Sequence, residues 1–371
     1  MKTSRRQIIY FYKDMKKKKL LGILPSYAGG GAEKIMLMYF HNFQKRPFFF
    51  KLLVVNNDGP LKTKLVDSIE YKYKRLFNSI PKIISYIRKK KFNIVYSTFP
   101  HITIALIISK LLRLHNCNIV VRQPNMLYPS LSYSFKLRII RFLYLRLINM
   151  ADVIVVTSKA MREEALKNNF NKNKVFLLPN PLDIRNIRKN VIPERKSGLA
   201  VKLVFVGRLS YQKGLDRVLG LFSKIDNIEL SIIGQGEQRK LLENLVKDNK
   251  IEEKITFCGF IPSPYNVIAG ADYLFLPSRW EGMPNCVLES LALGTPVIAF
   301  KDIITLNDLT FNIKNKTITM LENEESLLAY LRGLRPRKDK LNPMLRKSLL
   351  NNSLSEAAYR KKLDKIISSK L

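Results

Sequence analysis

The chain has 371 residues, 46% of them hydrophobic and 25% charged, with 16 Gly and 17 Pro. That length exceeds one modest core and predicts two domains, while the composition excludes disorder, collagen-like repeats and low-complexity arrays. The net charge is +36 and unevenly held: residues 1–190 carry 37 Lys and Arg against 9 Asp and Glu, net +28, and residues 191–371 carry 28 against 20, net +8.

Residues 1–18 read as a basic extension whose apolar run, Ile8–Tyr12, is too short for a signal-peptide core. Leu20–Leu24 reads as a strand ended by Pro25. Tyr27-Ala-Gly-Gly-Gly-Ala-Glu33 follows, then an apolar-periodic stretch from Ile35 to Phe43. Strand, glycine loop and helix open a doubly wound α/β domain. Further strands are predicted at Lys51–Val55, Asn93–Ser97, Asn118–Arg122, Val153–Thr157 and Val175–Leu178, and helices at Ile80–Lys91, Leu137–Met150 and Ser158–Asn168. No window supplies the roughly 18 uninterrupted apolar residues of a spanning helix. The nearest, Ile94 to Leu112, is broken by Pro100, His101 and Lys110.

The polar stretch from Asn180 to Gly198 reads as an interdomain linker, with the boundary at residue 190. A second α/β run follows, with strands at Lys202–Val206, Glu229–Ile233, Lys254–Phe257, Tyr273–Leu276 and Pro296–Ala299. Its helices are predicted at Leu215–Lys224, Glu237–Asn249 and Asn285–Leu293. Beyond Asp302 the pattern weakens until Ser353–Lys370, a basic amphipathic helix. Cys117, Cys258 and Cys286 lie far apart with no CxxC pair, which excludes a disulfide framework or cysteine zinc site and fits a reducing compartment.

Three segments carry chemistry. In Ser278-Arg-Trp-Glu-Gly-Met-Pro-Asn-Cys-Val-Leu-Glu289, Glu281 precedes a helix opening near Asn285 and Glu289 lies inside it. Backbone N–H groups at that helix start are free to meet oxygen ligands. For two glutamates at this spacing alone, an ordinary solvated strand–loop–helix is the commoner reading. In Phe205-Val-Gly-Arg-Leu-Ser-Tyr-Gln-Lys-Gly214, Arg208 and Lys213 stand just past a strand's carboxyl end, where α/β sheets bind ligands. Arg as a fork and Lys as a point charge suit a diphosphate. Ile233-Gly-Gln-Gly-Glu237 repeats the strand–glycine–helix pattern and lacks the lysine of a P-loop.

Taken in order, Gly207-Arg-Leu with Lys213-Gly214, Gly234-Gln-Gly-Glu237, Cys258-Gly-Phe260, and Glu281 and Glu289 ahead of Gly294-Thr-Pro-Val-Ile-Ala299 closely resemble the retaining glycosyltransferases of family four. The resemblance covers about residues 19–300 and is most specific over 205–299. It implies the GT-B fold, two Rossmann-like doubly wound domains facing a cleft. Residues 19–190 would form the acceptor domain and 191–340 the nucleotide-sugar domain, with the helical segment 341–371 crossing back to the first.

The resemblance also implies roles. Arg208 and Lys213 would bind the donor diphosphate, and Glu281 would accept hydrogen bonds from sugar hydroxyls beside Gly282, Met283, Pro284 and Asn285. Glu289 would hold the ribose, and Gly259 and Phe260 would contact the base. Gly207, Gly234 and Gly236 would line the donor, and Gly29, Gly30 and Gly31 would form the loop nearing the phosphates and acceptor. His101 would sit near the reacting sugar. Arg122, at another strand end, is a candidate acceptor contact. The donor would be UDP-linked, and the acceptor lipid-linked or a saccharide in bacterial surface polysaccharide or glycolipid synthesis. Charge developing on the leaving diphosphate needs preorganised donors. The sequence has no Asp-x-Asp, so Arg208, Lys213 and a helix N-terminus supply them, with no metal and no cofactor expected.

Replacing Arg208 or Lys213 by Ala is expected to leave the fold intact, since both lie in a loop. One departure stands out: Phe300 to Leu309 has no glycine where the family carries several, which leaves the end of the second domain open. The charge fits a cytoplasmic protein held peripherally on the inner membrane face through Lys16–Lys19, Arg88–Lys91 or the helix with Arg138, Arg141 and Arg146 interleaved with Phe142, Leu143 and Tyr144. Two other readings are a non-catalytic nucleotide-sugar-binding partner of another transferase, against which intact Arg208, Lys213 and Glu281 argue, and a nucleic-acid binder, for which no motif speaks.

Overall fold

The computed structural model describes residues 18–41, 49–62, 68–73, 76–193, 200–310, 317–336, 348–350 and 355–370. The basic extension with Lys16 and Lys17, and residues 194–199 of the expected linker, lie outside the described residues. The chain divides into two compact units, residues to Pro179 with those from Ala357 onward, and Asn180 to Glu356.

The first unit runs β1 (Lys19–Ser26), α1 (Gly31–His41), β2 (Phe49–Asn56), β3 (Ser68–Glu70), α2 (Ile80–Lys90), β4 (Ile94–Ser97), α3 (Pro100–Leu111), β5 (Asn118–Arg122), α4 (Phe135–Leu147), β6 (Val153–Val156), α5 (Lys159–Lys167) and β7 (Val175–Leu177). The strands lie in the order β3-β2-β1-β4-β5-β6-β7, every pair parallel. Strands of such a sheet are covered on both faces and read as unbroken apolar runs. Val153–Val156 is fully buried along its length. Ser134 and Ser158 cap α4 and α5 by accepting from the N–H groups of Leu137 and Met161. The apolar stretch from Ile94 resolves into β4 and α3. Pro100 stands in the first turn of α3, where its missing N–H is no loss.

The second unit runs β8 (Val201–Val206), β9 (Ile228–Ile233), α6 (Arg239–Asp248), β10 (Ile255–Gly259), β11 (Tyr273–Leu276), α7 (Asn285–Ala292), β12 (Val297–Phe300), β13 (Ile318–Leu321) and α8 (Glu324–Gly333). Its parallel sheet has the order β10-β9-β8-β11-β12-β13. Each unit therefore has one place where the strand order reverses, between β1 and β4 in the first and between β8 and β11 in the second. Ligands of open α/β sheets bind at such switch points.

Several expectations need correction. Leu215–Lys224 is no α-helix; it consists of two 3-10 turns, Leu215–Arg217 and Leu219–Lys224. Leu215, Val218, Leu219 and Phe222 still reach the core at helical spacing. Left-handed Gly214 and the tying of Arg217 to the Pro277 and Ser278 carbonyls hold the tighter path. The first part of the expected linker packs into the second unit: Leu182, Ile187 and Val191 are buried there, and Arg188 Nη1 donates to Ala292 O at 2.6 Å. The weak pattern after Asp302 conceals β13, paired with β12, and α8, capped reciprocally by Asn323 and Ser326.

The last helix, α9 (Glu356–Lys370), belongs to the first unit from Ala357 onward. Tyr359, Leu363, Ile366 and Ile367 are buried. The Tyr359 ring meets Tyr39 edge-on at 6.2 Å, and Tyr39 stacks on Tyr96 at 5.6 Å. Tyr359→Ala should therefore cost about 3–5 kcal/mol, the range for truncating a buried aromatic. A urea titration followed by circular dichroism measures it, and an unchanged midpoint would refute the anchoring role of Tyr359.

Candidate functional site

The site is assembled where β8, β9 and β10 end. Gly207 N donates to Ile233 O at 3.0 Å, Leu209 N to Gln235 O at 2.9 Å, Gln238 N to Leu209 O at 3.0 Å, and Gly234 N to Gly259 O at 2.7 Å. These bonds stitch the three glycine-bearing loops into one floor. A Cβ on Gly234, whose φ is +144°, would overlap the Gly207 carbonyl, and one on Gly236 would overlap that of Leu209. Glycine is what lets the backbones approach this closely. Phe260 follows the floor half-buried.

Across the switch point, the loops after β8 and β11 are locked together. Arg279 forks onto Asp216 at 2.8 and 2.7 Å and lies 3.9 Å over the Tyr211 ring. Arg217 donates to Pro277 O and Ser278 O, each at 3.1 Å. Gly214 approaches Pro277 so closely that a Cβ would overlap its carbonyl.

Within this frame Lys213 Nζ meets Glu281 Oε1 at 2.5 Å, with side-chain exposures of 15% and 7%. Ser278 Oγ donates to the same oxygen at 2.7 Å. Gln212 Nε2 donates to Glu281 Oε2 at 3.4 Å and to Trp280 O at 3.0 Å. Burial works against the Lys213 charge, but the Glu281 carboxylate outweighs it and raises its pKa above the ordinary 10.5. Arg208 is exposed beside it, near enough to oppose that rise. The Cys286 thiol lies among Lys213, Glu281 and Glu289; burial pushes it up to about 12, which leaves it a neutral packing group.

Gly282, Met283 and Pro284 form the turn into α7, and Glu289 is buried on its second turn. Asn180, 6% exposed, braces this turn: its Nδ2 donates to Met283 O at 3.2 Å and to Asn285 Oδ1 at 2.7 Å, and its backbone N–H to Met283 Sδ at 3.1 Å. The sequence gives no hint of this role, because Asn180 and Asn285 are 105 residues apart. Arg208, Lys213, Glu281, Gly282, Met283, Pro284, Asn285 and Glu289 are thus brought to one switch point.

The first unit holds the remaining candidates. Gly30, Gly31 and His101 follow β1 and β4, at that unit's own switch point, and Arg122 ends the adjacent β5. Gly29 is left-handed, with φ +64°, and Gly31 opens α1. His101 is exposed in the first turn of α3. Desolvation against the body of the unit, then the Lys136 cation, lowers its imidazole pKa. Arg122 differs from its expected part. It is 2% exposed and interacts with the Tyr96 and Tyr359 hydroxyls, a place inside the core rather than one displayed to an acceptor.

Two parallel Rossmann-type sheets, the second with a cation–carboxylate site at its switch point, define the GT-B class of transferases. The chain belongs to the family-four glycosyltransferases: the model described as Glycosyltransferase Family 4 matches residues 29–186, and that described as Glycosyl transferases group 1 matches residues 186–341. It is 26% identical over 214 residues to the N-acetylgalactosamine-N,N'-diacetylbacillosaminyl-diphospho-undecaprenol 4-alpha-N-acetylgalactosaminyltransferase of Campylobacter jejuni, covering 56% of this chain and 58% of that one. It is 28% identical over 242 residues to the O-antigen biosynthesis glycosyltransferase WclY of Escherichia coli, covering 61% and 67%. The fold matches Anabaena HepE, solved in complex with UDP-glucose, with a TM-score of 0.73 at 16% identity over 95% of this chain and 99% of that one.

The ion pair revises one expectation. Lys213 ends a short 3-10 turn, Tyr211–Lys213, and Lys213→Ala would strand a buried carboxylate and should cost about 3 kcal/mol, whereas exposed Arg208→Ala should cost almost nothing. The cost should shrink in the double variant Lys213→Ala/Glu281→Gln. Because the folded Lys213 pKa is raised, the pair's contribution is complete below 10.5 and fades as pH rises through the higher value. Trp280, the one tryptophan, adjoins Glu281, so its fluorescence in urea reads these differences directly. Equal stabilities for the two single variants would refute the pairing.

Proposed function

We propose that the protein is a metal-independent, retaining glycosyltransferase that moves a sugar from a UDP-linked donor to a lipid-linked or saccharide acceptor in the synthesis of a surface polysaccharide or glycolipid. The observation that carries this reading is Lys213 held against Glu281 at the switch point, with Arg208 beside it and the N-terminus of α7 opening onto the same loop.

The difficult step is departure of the nucleoside diphosphate as the sugar becomes oxocarbenium-like. A diphosphate entering here meets Arg208 and Lys213, whose charges stabilise the leaving oxygen. Lys213 shared with the phosphates loosens its hold on Glu281, whose carboxylate then accepts from sugar hydroxyls, with Ser278 and Gln212 keeping it oriented. Glu289 holds the ribose, Gly259 and Phe260 meet the base, and Gly30, Gly31 and His101 serve the acceptor side. Glu281 and Glu289 bind rather than attack, so retention proceeds by front-face delivery, the departing diphosphate taking the acceptor's proton. The names of the Campylobacter and Escherichia relatives support a lipid-linked acceptor and surface-glycan synthesis.

A panel of nucleotide-sugars screened for turnover identifies the donor. In that assay Arg208→Ala should lower turnover by roughly 100-fold or more, the scale of losing one preorganised donor. Activity should persist in EDTA. Full activity in the Arg208 variant, or abolition by EDTA with rescue by Mg²⁺, would overturn the mechanism.

Peripheral attachment to the inner membrane face extends the reading. Helix α4 exposes Phe135, Ile139 and Phe142, which recur at helical spacing along one stripe, with exposed Lys136, Arg138 and Arg146 alongside. No helix among the described residues is long and apolar enough to cross a membrane. Flotation with anionic vesicles should weaken as salt rises, because the Debye length falls from about 10 Å at 0.1 M to about 3 Å at 1 M. Equal binding to neutral vesicles would show that apolar insertion alone is at work.

A further inference from the structure

A cavity of about 480 Å³ opens at the opposite edge of the first unit's sheet, where β1, β4 and β5 begin. Among the described residues, four cations line it, Lys18, Arg88, Lys91 and Arg113, and no carboxylate does. None of the steps above uses it.

Its floor is neutral and fixed. His115, 6% exposed, bonds through Nε2 to Ser109 Oγ at 2.9 Å and to Leu106 O at 3.2 Å, while Nδ1 accepts the Cys117 N–H at 3.2 Å. Burial lowers its pKa against the opposing pull of the Leu106 carbonyl, and the ring stays uncharged at neutral pH. The Cys117 thiol donates to Phe92 O at 2.9 Å, and burial pushes it up to about 11. Neither group is a nucleophile here. The charge therefore resides with the four cations around the opening.

Cations near helix ends ordinarily answer the helix dipole. That dipole amounts to about half a charge per helix, so the ends of α2 and α3 balance about one of the three cations Arg88, Lys91 and Arg113. A concave, low-dielectric wall focuses the remaining field outward. Lys91 and Arg113 moreover stand in left-handed backbone, with φ of 51° and 55°, at positions after α2 and α3 where glycine or asparagine is the usual choice. Exposed Leu111, Leu112 and Leu114 flank Arg113.

We propose that this cavity binds a phosphate-bearing anion, at a site separate from that of Lys213 and Glu281. The phosphate belongs either to a lipid headgroup, whose acyl chains the three leucines would meet, or to a soluble phosphate compound; the recognition chemistry is the same. The proposal does not depend on the transferase reading.

The test uses the full chain carrying Arg88→Gln/Lys91→Gln/Arg113→Gln, against a control of equal charge loss on the same unit, Arg162→Gln/Lys167→Gln/Lys172→Gln. All six side chains are exposed, so both variants should fold. One arm titrates inorganic diphosphate calorimetrically in an Arg208→Ala background, which weakens the other phosphate site. The second floats each variant with phosphatidylglycerol vesicles. Binding in one arm should fall roughly tenfold or more below the control. Loss in the diphosphate arm alone assigns a soluble phosphate, and loss in the vesicle arm assigns a lipid headgroup. If the cavity variant matches the control in both arms, the site does not exist. Donor turnover without vesicles should be unchanged in the cavity variant, which separates this outcome from failure of the catalytic reading.

Discussion

The Lys213–Glu281 pair is the constraint on which the second unit's architecture turns. A lysine and a glutamate with 15% and 7% of their side chains exposed must be held in good geometry, since desolvating two charges costs more than a loose contact returns. The frame answers that need. Arg279 on Asp216 and Arg217 on the Pro277 and Ser278 carbonyls fix the two loops that carry the pair. Gly214 allows those loops to approach, and Asn180 sets the turn leading into α7. A structural pair alone would be served as well by two apolar side chains. On the proposed reading, paired charges at a switch point instead hold a cation and an acceptor ready for a ligand carrying phosphate and hydroxyl groups.

Much of this was legible in the sequence because the signals are local. Buried parallel strands appear as short apolar runs, so β5 and β11 are read with their bounds unchanged. The glycines of 214, 234 and 236 sit where a Cβ would overlap a carbonyl, and one on Gly207 would crowd the Lys213 and Phe205 side chains. The motif order sets Arg208 and Lys213 after β8 and Glu281 and Glu289 after β11, the two strands that flank the switch point. What escaped is non-local. The apolar spacing of Leu215, Val218, Leu219 and Phe222 fits α and 3-10 paths alike, and ties from Arg217 decide between them. Asn180 looks like linker until Asn285 lies beside it. Strands β3 and β13, of three and four half-buried residues, carry too short a pattern to read.

Arg122 shows the same limit from the other side. An arginine ending a parallel strand looks like a ligand contact, since that edge of the sheet is where ligands bind. Its real surroundings come from α9, more than two hundred residues later, which brings Tyr359 to it and Tyr96. Nothing within the β5 segment could reveal that closure. A buried guanidinium among hydroxyls then makes α9 a participant in the first unit's core, because removing Tyr359 would leave both an aromatic void and a poorly satisfied cation.

The asymmetry of charge follows from a division between two kinds of electrostatics. In the second unit the charges that shape the site are few, largely buried and paired, Lys213 with Glu281 at 2.5 Å and Arg279 with Asp216 at 2.7 Å, so salt hardly reaches them. Among the described residues of the first unit, exposed cations stand on helix faces and around a cavity, in the basic end of α2, the α4 stripe and Arg113. Exposed charges of one sign add little to stability and repel one another. Their use is a field that gathers anions and fades with ionic strength. Raised salt should thus act most on what the first unit attracts and least on the buried Lys213–Glu281 pair. On the proposed reading a single assay separates these physics: turnover on a soluble acceptor would depend least on the first unit's field, and turnover on an acceptor embedded in anionic vesicles would depend on both.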